Sequence, residues 1–138
     1  MKILYTAKAT ATGDGRNGKV RSSDGRLDLE LAVPAEMGGA GGATNPEQLF
    51  AAGYAACFHN ALRRVARAAE ADVEGSQVSA EVGIGPAGGG TFGLAVTLRI
   101  ALPLVPASVA PGLVERAHQV CPYSNAVRAN IDVKLELV

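Results

Sequence analysis

The sequence predicts an α+β fold in which helices cover a largely antiparallel sheet, and three observations carry that prediction. A long apolar run of helical period extends from Asn45 to about Ala71. Strict alternation marks Leu27-Asp28-Leu29-Glu30-Leu31-Ala32-Val33 as a half-buried strand, and two further strand-like runs follow the helix. Read in order, the elements are strands, long helix, strands, helix and strand, which is not the strict βαβ alternation of a parallel sheet.

The first strand is expected over Lys2 to about Thr12, where β-branched and small residues mix, and the second over Leu27–Val33. Between them Gly13-Asp14-Gly15-Arg16-Asn17-Gly18 and Ser22-Ser23-Asp24-Gly25 read as turns, because Gly, Asn and Asp tolerate positive φ. The N-terminal third is therefore a small antiparallel meander with Arg16 at a turn or strand start. Gly38-Gly39-Ala40-Gly41-Gly42-Ala43 is a loop into the helix; a phosphate-binding loop would end in Gly-Lys-Ser/Thr, and this one ends in Gly-Ala-Thr-Asn-Pro. Asn45 is an N-cap and Pro46 suits the first helical position. The apolar positions Leu49, Phe50, Tyr54, Cys57, Ala61, Leu62 and Val65 spread beyond one narrow stripe, as in a core helix. Gln77–Ile84 and Phe92–Leu102 form a hairpin across Gly85–Gly90. A second helix starts at Ala107 or Pro111 and runs to Gln119, stopping near Cys121 because a residue before proline is pushed out of the α region. Ser124 is expected to cap a short helix over Asn125–Ala129, and Asp132–Val138 alternates as a closing strand.

The 138 residues are read as one domain. Charged residues make up 19% of them, below the roughly 25% usual for soluble domains, so more surface than usual is covered and a homo-oligomer is favoured. Thirteen basic and thirteen acidic residues cancel without a Lys/Arg cluster, which argues against nucleic acid as a partner. Met1-Lys2-Ile3-Leu4-Tyr5-Thr6 lacks the apolar run of a signal peptide and no stretch has the length of a membrane span, so the expected location is cytoplasmic. In that compartment a pair of cysteines reads as catalytic or redox-active more readily than as a permanent staple. Two inert buried thiols are the plain alternative.

Cys57 falls inside the long helix and Cys121 at a helix end, in Val120-Cys121-Pro122-Tyr123-Ser124-Asn125, so only tertiary folding brings them together. A two-cysteine thiol peroxidase needs that arrangement. One thiolate attacks the peroxide bond and becomes a sulfenic acid, and a second thiol on a segment able to shift condenses with it. A thiol in apolar surroundings is protonated at neutral pH and needs a cation to ionise. Arg16 is the candidate, with Glu47 as the carboxylate its guanidinium forks. Glu47 stands ten residues before Cys57, about 15 Å along a straight helix. The expectation is therefore that Arg16 and Glu47 meet Cys57 across a dimer interface. Taken singly, Arg16 reads most often as a solvated turn residue and Glu47 as a helix-dipole partner without catalytic duty. His59 and His118 lie off their cysteines' helical faces, and a zinc site of both cysteines and both histidines matches no usual spacing. Tyr54, Phe58 and Tyr123 are core residues or the walls of an apolar pocket.

Asn-Pro-Glu-Gln-Leu-Phe-Ala-Ala-Gly-Tyr-Ala-Ala-Cys-Phe over 45–58 and Val-Cys-Pro-Tyr-Ser-Asn-Ala over 120–126 strongly resemble the organic hydroperoxide resistance proteins, the Ohr branch of the Ohr/OsmC family. The likeness extends through Thr6-Ala7, Ser23-Asp24-Gly25 and Glu36-Met37-Gly38-Gly39 and on to Ile131. It implies an intertwined homodimer of the OsmC-like type, with antiparallel sheets wrapped around a long central helix and two sites at the interface. It implies a thiol-dependent peroxidase of alkyl and fatty-acid hydroperoxides, with Cys57 peroxidatic, Cys121 resolving, and Arg16 with Glu47 activating the thiolate. It further implies no bound cofactor or metal, and a disulfide reduced by dihydrolipoamide or a lipoylated protein. Two positions depart from the family pattern: Asp14 adds an acid beside Arg16, and Ala129 stands where relatives often carry glycine. The rival readings are an OsmC-type peroxidase, which the Tyr123-Ser124-Asn125 continuation disfavours, and a non-catalytic thiol redox sensor.

Overall fold

A computed structural model describes all residues from Met1 to Val138, with two three-stranded sheets and three α-helices. The chain divides into two compact units, Met1–Leu49 and Phe50–Val138.

In the first unit the meander is antiparallel, with β1 (Ala9–Thr12) on β2 (Lys19–Ser22) and β2 on β3 (Asp28–Glu30). Both outer strands are shorter than their sequence patterns. Ala9 pairs with Ser22, where the chain turns, so residues before Lys8 find no ladder partner, and Met1, Ile3, Leu4 and Tyr5 are exposed. Beyond Glu30 the alternating run leaves the sheet; Leu31 makes an isolated parallel bridge to Thr44. The turn between β1 and β2 is a 3₁₀ turn over Gly15–Asn17, held in shape by glycines. Gly13 and Gly15 have φ of 77° and 57°, and a side chain at Gly18 would strike the Thr12 carbonyl. Asn17 Oδ1 accepts the Val33 N–H at 3.1 Å, pinning this turn to the strand exit.

Helix α1 (Pro46–Ala68) begins as its sequence dictates: Asn45 Oδ1 accepts the Gln48 N–H at 2.9 Å and Pro46 opens the first turn. It ends three residues short of the expected limit. Glu70 adopts a left-handed φ of 54°, while the Ala71 N–H bonds Ala66 O and the Glu70 N–H bonds Arg67 O, a Schellman closure on a non-glycine residue.

In the second unit Tyr54, Phe58, Ala61, Leu62 and Ala66 of α1 form one core with Val96, Leu98 and Ile100 of β5 (Thr91–Ala101) and with Leu113, Val114 and Ala117 of α2 (Ala110–Val120). Burying each of the larger side chains contributes about 1.5–3 kcal/mol. β4 (Gln77–Gly88) pairs antiparallel with β5, while β6 (Val133–Leu137) pairs parallel to it, so the second sheet is mixed. The hairpin strands run further than expected, through Gly85 and Pro86 to a turn at Gly88–Gly90. Proline is tolerated there because β4 is an edge strand and Pro86 need not donate to a neighbour on both sides.

The short helix α3 spans Pro122–Val127 rather than Asn125–Ala129, and Ser124 is buried inside it instead of capping it. Cys121 is extended at φ −67°, ψ 124°, as a residue before proline must be. After α3, Ala129 sits at φ 62°, a left-handed backbone that favours glycine. Left-handed backbone costs an L-residue about 1–2 kcal/mol, offset by the extra unfolded-state freedom of glycine. Ala129→Gly should therefore stabilise the protein by about 0.5–1 kcal/mol in urea unfolding; a loss of stability would show that the φ is unstrained.

Candidate active site

The two cysteines, distant in sequence, are neighbours in the second unit. Cys57 faces outward from the middle of α1, half-buried, and Cys121 is fully buried in the extended step between α2 and α3. Their sulfurs are 3.7 Å apart, with the Cys121 thiol directed at Cys57 Sγ. Both thiols are free. A disulfide needs about 2.05 Å, so a displacement of under 2 Å separates this state from a bond.

Gly53 makes the approach possible. It lies one turn before Cys57, and a Cβ there would stand 2.8 Å from the Tyr123 hydroxyl and 3.2 Å from its ring. Glycine inside a helix costs about 1 kcal/mol against alanine. Here that cost admits the Tyr123 ring onto the α1 surface. Tyr123 packs 5.8 Å from Tyr54 and 6.2 Å from Phe50, ring centre to ring centre. Burial pushes the Cys57 thiol up from its ordinary value, the Tyr123 N–H pulls it down by favouring the thiolate, and the adjoining Cys121 raises it again. Within this unit Cys57 is thus a thiol that still needs a cation.

Beside Cys121 runs a polar chain that the sequence reading missed. Ser124 Oγ lies 2.8 Å from the Tyr54 hydroxyl and 2.9 Å from His118 Nδ1, and Arg128 donates to the His118 carbonyl at 2.7 Å. Tyr54 and Ser124 have no solvent exposure, so these bonds are the alternative to unpaired buried polar groups. The chain ties α1, α2 and α3 together around the sulfur pair. The signal for it was Ser124 two residues after a proline turn, which local reasoning assigned to a cap. Burial, and secondarily the Arg128 charge, hold His118 below the usual histidine range, leaving it neutral at physiological pH. His59 pairs with Ser76 at 2.9 Å. Neither histidine addresses a cysteine, and no group of three or more metal-ligating side chains forms.

The first unit supplies the expected ion pair. Arg16 in the pinned 3₁₀ turn grips Glu47 in the first turn of α1 with both ends of its guanidinium, Nη1 to Oε2 at 2.9 Å and Nη2 to Oε1 at 2.7 Å. The fork holds the Glu47 carboxyl below the usual carboxylate range. It leaves Arg16 charged and 38% exposed, with N–H groups available to a second anion. Asp14 makes no ion pair with it.

Comparison with known proteins finds relatives that match most of the chain. The OsmC-like protein family model matches residues 39–136. An organic hydroperoxide resistance protein of Xanthomonas axonopodis pv. citri is 56% identical over 138 residues, covering 99% of this chain and 96% of its own. The organic hydroperoxide resistance protein OhrB of Bacillus subtilis is 46% identical over 136 residues, covering 97% and 98% respectively. Among solved structures, an organic hydroperoxide resistance protein of Legionella pneumophila superposes with a TM-score of 0.94 at 51% identity, over 99% of this chain and 98% of the other.

Proposed function

The chain belongs to the OsmC-like family, among its organic hydroperoxide resistance proteins, and from that premise we propose that it is a cysteine-based, thiol-dependent peroxidase acting on organic hydroperoxides. The observation that carries the proposal is the sulfur pair: a reachable Cys57 with a sealed Cys121 3.7 Å behind it.

The Cys57 thiolate attacks the distal oxygen of ROOH. The O–O bond breaks, the sulfur keeps that oxygen as sulfenic acid, and the departing alkoxide takes a proton to leave as ROH. The Cys121 thiolate then attacks the sulfenic sulfur, forming the disulfide and, with a proton, expelling water. An external dithiol, dihydrolipoamide or a lipoylated protein, restores both thiols and leaves as its own disulfide. The net reaction is ROOH plus dithiol to ROH, water and disulfide. The roles are supported by access, since peroxide reaches only the outer sulfur, and by the fixed second sulfur, which intercepts the sulfenic acid before further oxidation.

Arg16 is assigned the missing cation, acting with Glu47 in a site completed between two copies of the chain in the cytoplasm. Its support is the fork to Glu47, which fixes the guanidinium while leaving N–H groups unspent. Because burial raises the Cys57 thiol, ionisation without Arg16 should need more alkaline conditions. Arg16→Ala should move the pH profile of Cys57 alkylation upward by about one unit or more, and an unchanged profile would remove Arg16 from the site.

Turnover tests the proposal itself. With dihydrolipoate present, the protein should consume many equivalents of tert-butyl hydroperoxide and use hydrogen peroxide less well. Consumption that stopped after one equivalent would describe a redox sensor instead.

A further inference from the structure

Cys121-Pro122-Tyr123 opens α3, and the Tyr123 side chain lies back across α1 at Gly53, with Phe50 and Tyr54 beside it. Phe50, Gly53 and Cys57 are three and four residues apart and share one face of that helix, so the ring occupies the turn directly before the reachable sulfur. Its fit is close. A Cβ on Gly53 would stand 2.8 Å from the phenol oxygen and 3.2 and 3.3 Å from two ring carbons, all three atoms belonging to Tyr123. Non-bonded carbons rest at about 3.5–4.0 Å, so a single methyl group would lift the ring by roughly half an ångström or more. Phe50 and Tyr54, with ring centres 6.2 and 5.8 Å away, resist its swinging aside. Only Pro122 stands between this ring and Cys121, and a proline locks its φ at about −65°. A lift of the ring is therefore passed to Cys121, whose sulfur lies 3.7 Å from that of Cys57.

We propose that Tyr123, seated on Gly53, is a clamp that holds Cys121 within closing distance of Cys57 and so decides how often an oxidised Cys57 ends as disulfide rather than as sulfinic acid. Both are positioning residues, acting through Cys121. The inference rests on the peroxidase reading above for its over-oxidation consequence, and on geometry alone for closure. Two reactions compete for the Cys57 sulfenic acid. In closure the Cys121 thiolate attacks the sulfenic sulfur, the S–O bond breaks and, with a proton, water leaves. In over-oxidation that sulfur takes one oxygen from a second ROOH, becoming sulfinic acid as ROH departs. Only closure depends on the sulfur gap, and misplacing reacting atoms by about 1 Å can cost about 100-fold. A lift of roughly half an ångström should therefore slow closure about tenfold.

Closure is read without peroxide by adding dithiobis(nitrobenzoate) to the reduced protein and following thionitrobenzoate release. Cys57 displaces the first equivalent and is capped; Cys121 then attacks the capped sulfur and expels the second. In Gly53→Ala the second phase should slow about tenfold. With tert-butyl hydroperoxide and dihydrolipoate, the sulfinic acid formed per turnover should rise by a similar factor. Tyr123→Ala should do the same by removing the ring. Gly53→Ala/Tyr123→Ala should be no slower than Tyr123→Ala, because the three atoms nearest the added methyl all belong to that ring. Gly53→Ala/Tyr123→Phe should recover part of the loss, because the atom at 2.8 Å is gone. Alanine is the better helix former, so a general weakening of α1 would not produce this pattern. A wild-type second phase in Gly53→Ala or in Tyr123→Ala overturns the proposal, as does further slowing by Gly53→Ala when the ring is absent. A wild type that closes the disulfide under the aromatic reagent but consumes no hydroperoxide would sink the peroxidase reading, and the release kinetics would still decide for or against the clamp.

Discussion

Replacing Cys57 with serine should abolish hydroperoxide consumption, lowering turnover by at least about a thousandfold. A serine hydroxyl has the right size for this half-buried position but does not ionise near neutral pH, and oxygen is a poor nucleophile toward a peroxide bond. The fold should tolerate the change, because Cys57 contributes little to the core and sits at the edge of the cluster built on Phe58 and Leu62. Circular dichroism superimposable on wild type would tie the loss to chemistry. Retained turnover would place the nucleophile elsewhere, and with Cys121 sealed at zero exposure no second reachable thiol exists to take its part.

Replacing Cys121 with serine should leave the first chemical step intact and destroy the cycle. The Cys57 sulfenic acid would form at its usual rate, find no thiol 3.7 Å away, and react with a second peroxide to give sulfinic acid. Excess tert-butyl hydroperoxide should then add two oxygens to the protein mass, one from each of two peroxides, with consumption stopping at about two equivalents. A buried hydroxyl at this position costs about 1–3 kcal/mol unless it bonds the Cys57 sulfur, so thermal stability should drop modestly without loss of fold. Undiminished cycling in this variant would mean that the external dithiol attacks the sulfenic acid directly, and would remove Cys121 from the mechanism.

What the sequence disclosed and what it withheld divide along physical lines. Local signals were strong where a single residue type had one use: Asn45-Pro46 opened α1 where expected, and Cys121-Pro122 ended α2 where expected. Strand limits were poorly legible because they depend on the partner strand. Lys2–Lys8 has strand-like residues but no ladder, and Gly85-Pro86 has turn-like residues but lies on an edge that accepts them. Parallel pairing of β6 with β5 is likewise a property of the fold and not of Val133–Leu137.

At the site, the meeting of the two cysteines was legible from their chemistry and from the family resemblance, and so was the Arg16 fork on Glu47. The supporting residues were not. Gly53 read as one more small residue in an alanine-rich helix, and only the Tyr123 ring stacked over it gives it a reason. Ser124 read as a cap because caps are local, whereas its partners Tyr54 and His118 come from two other elements.

The account depends on oxidation joining these two sulfurs and no others. Exposing the reduced protein to one equivalent of tert-butyl hydroperoxide, quenching with an alkylating agent and mapping peptides without reductant measures this directly. The predicted product is a protein lighter by two hydrogens, carrying a Cys57–Cys121 linked peptide and no alkylatable thiol. Recovery of both cysteines alkylated, or of a stable singly oxidised Cys57 beside a free Cys121, would contradict it.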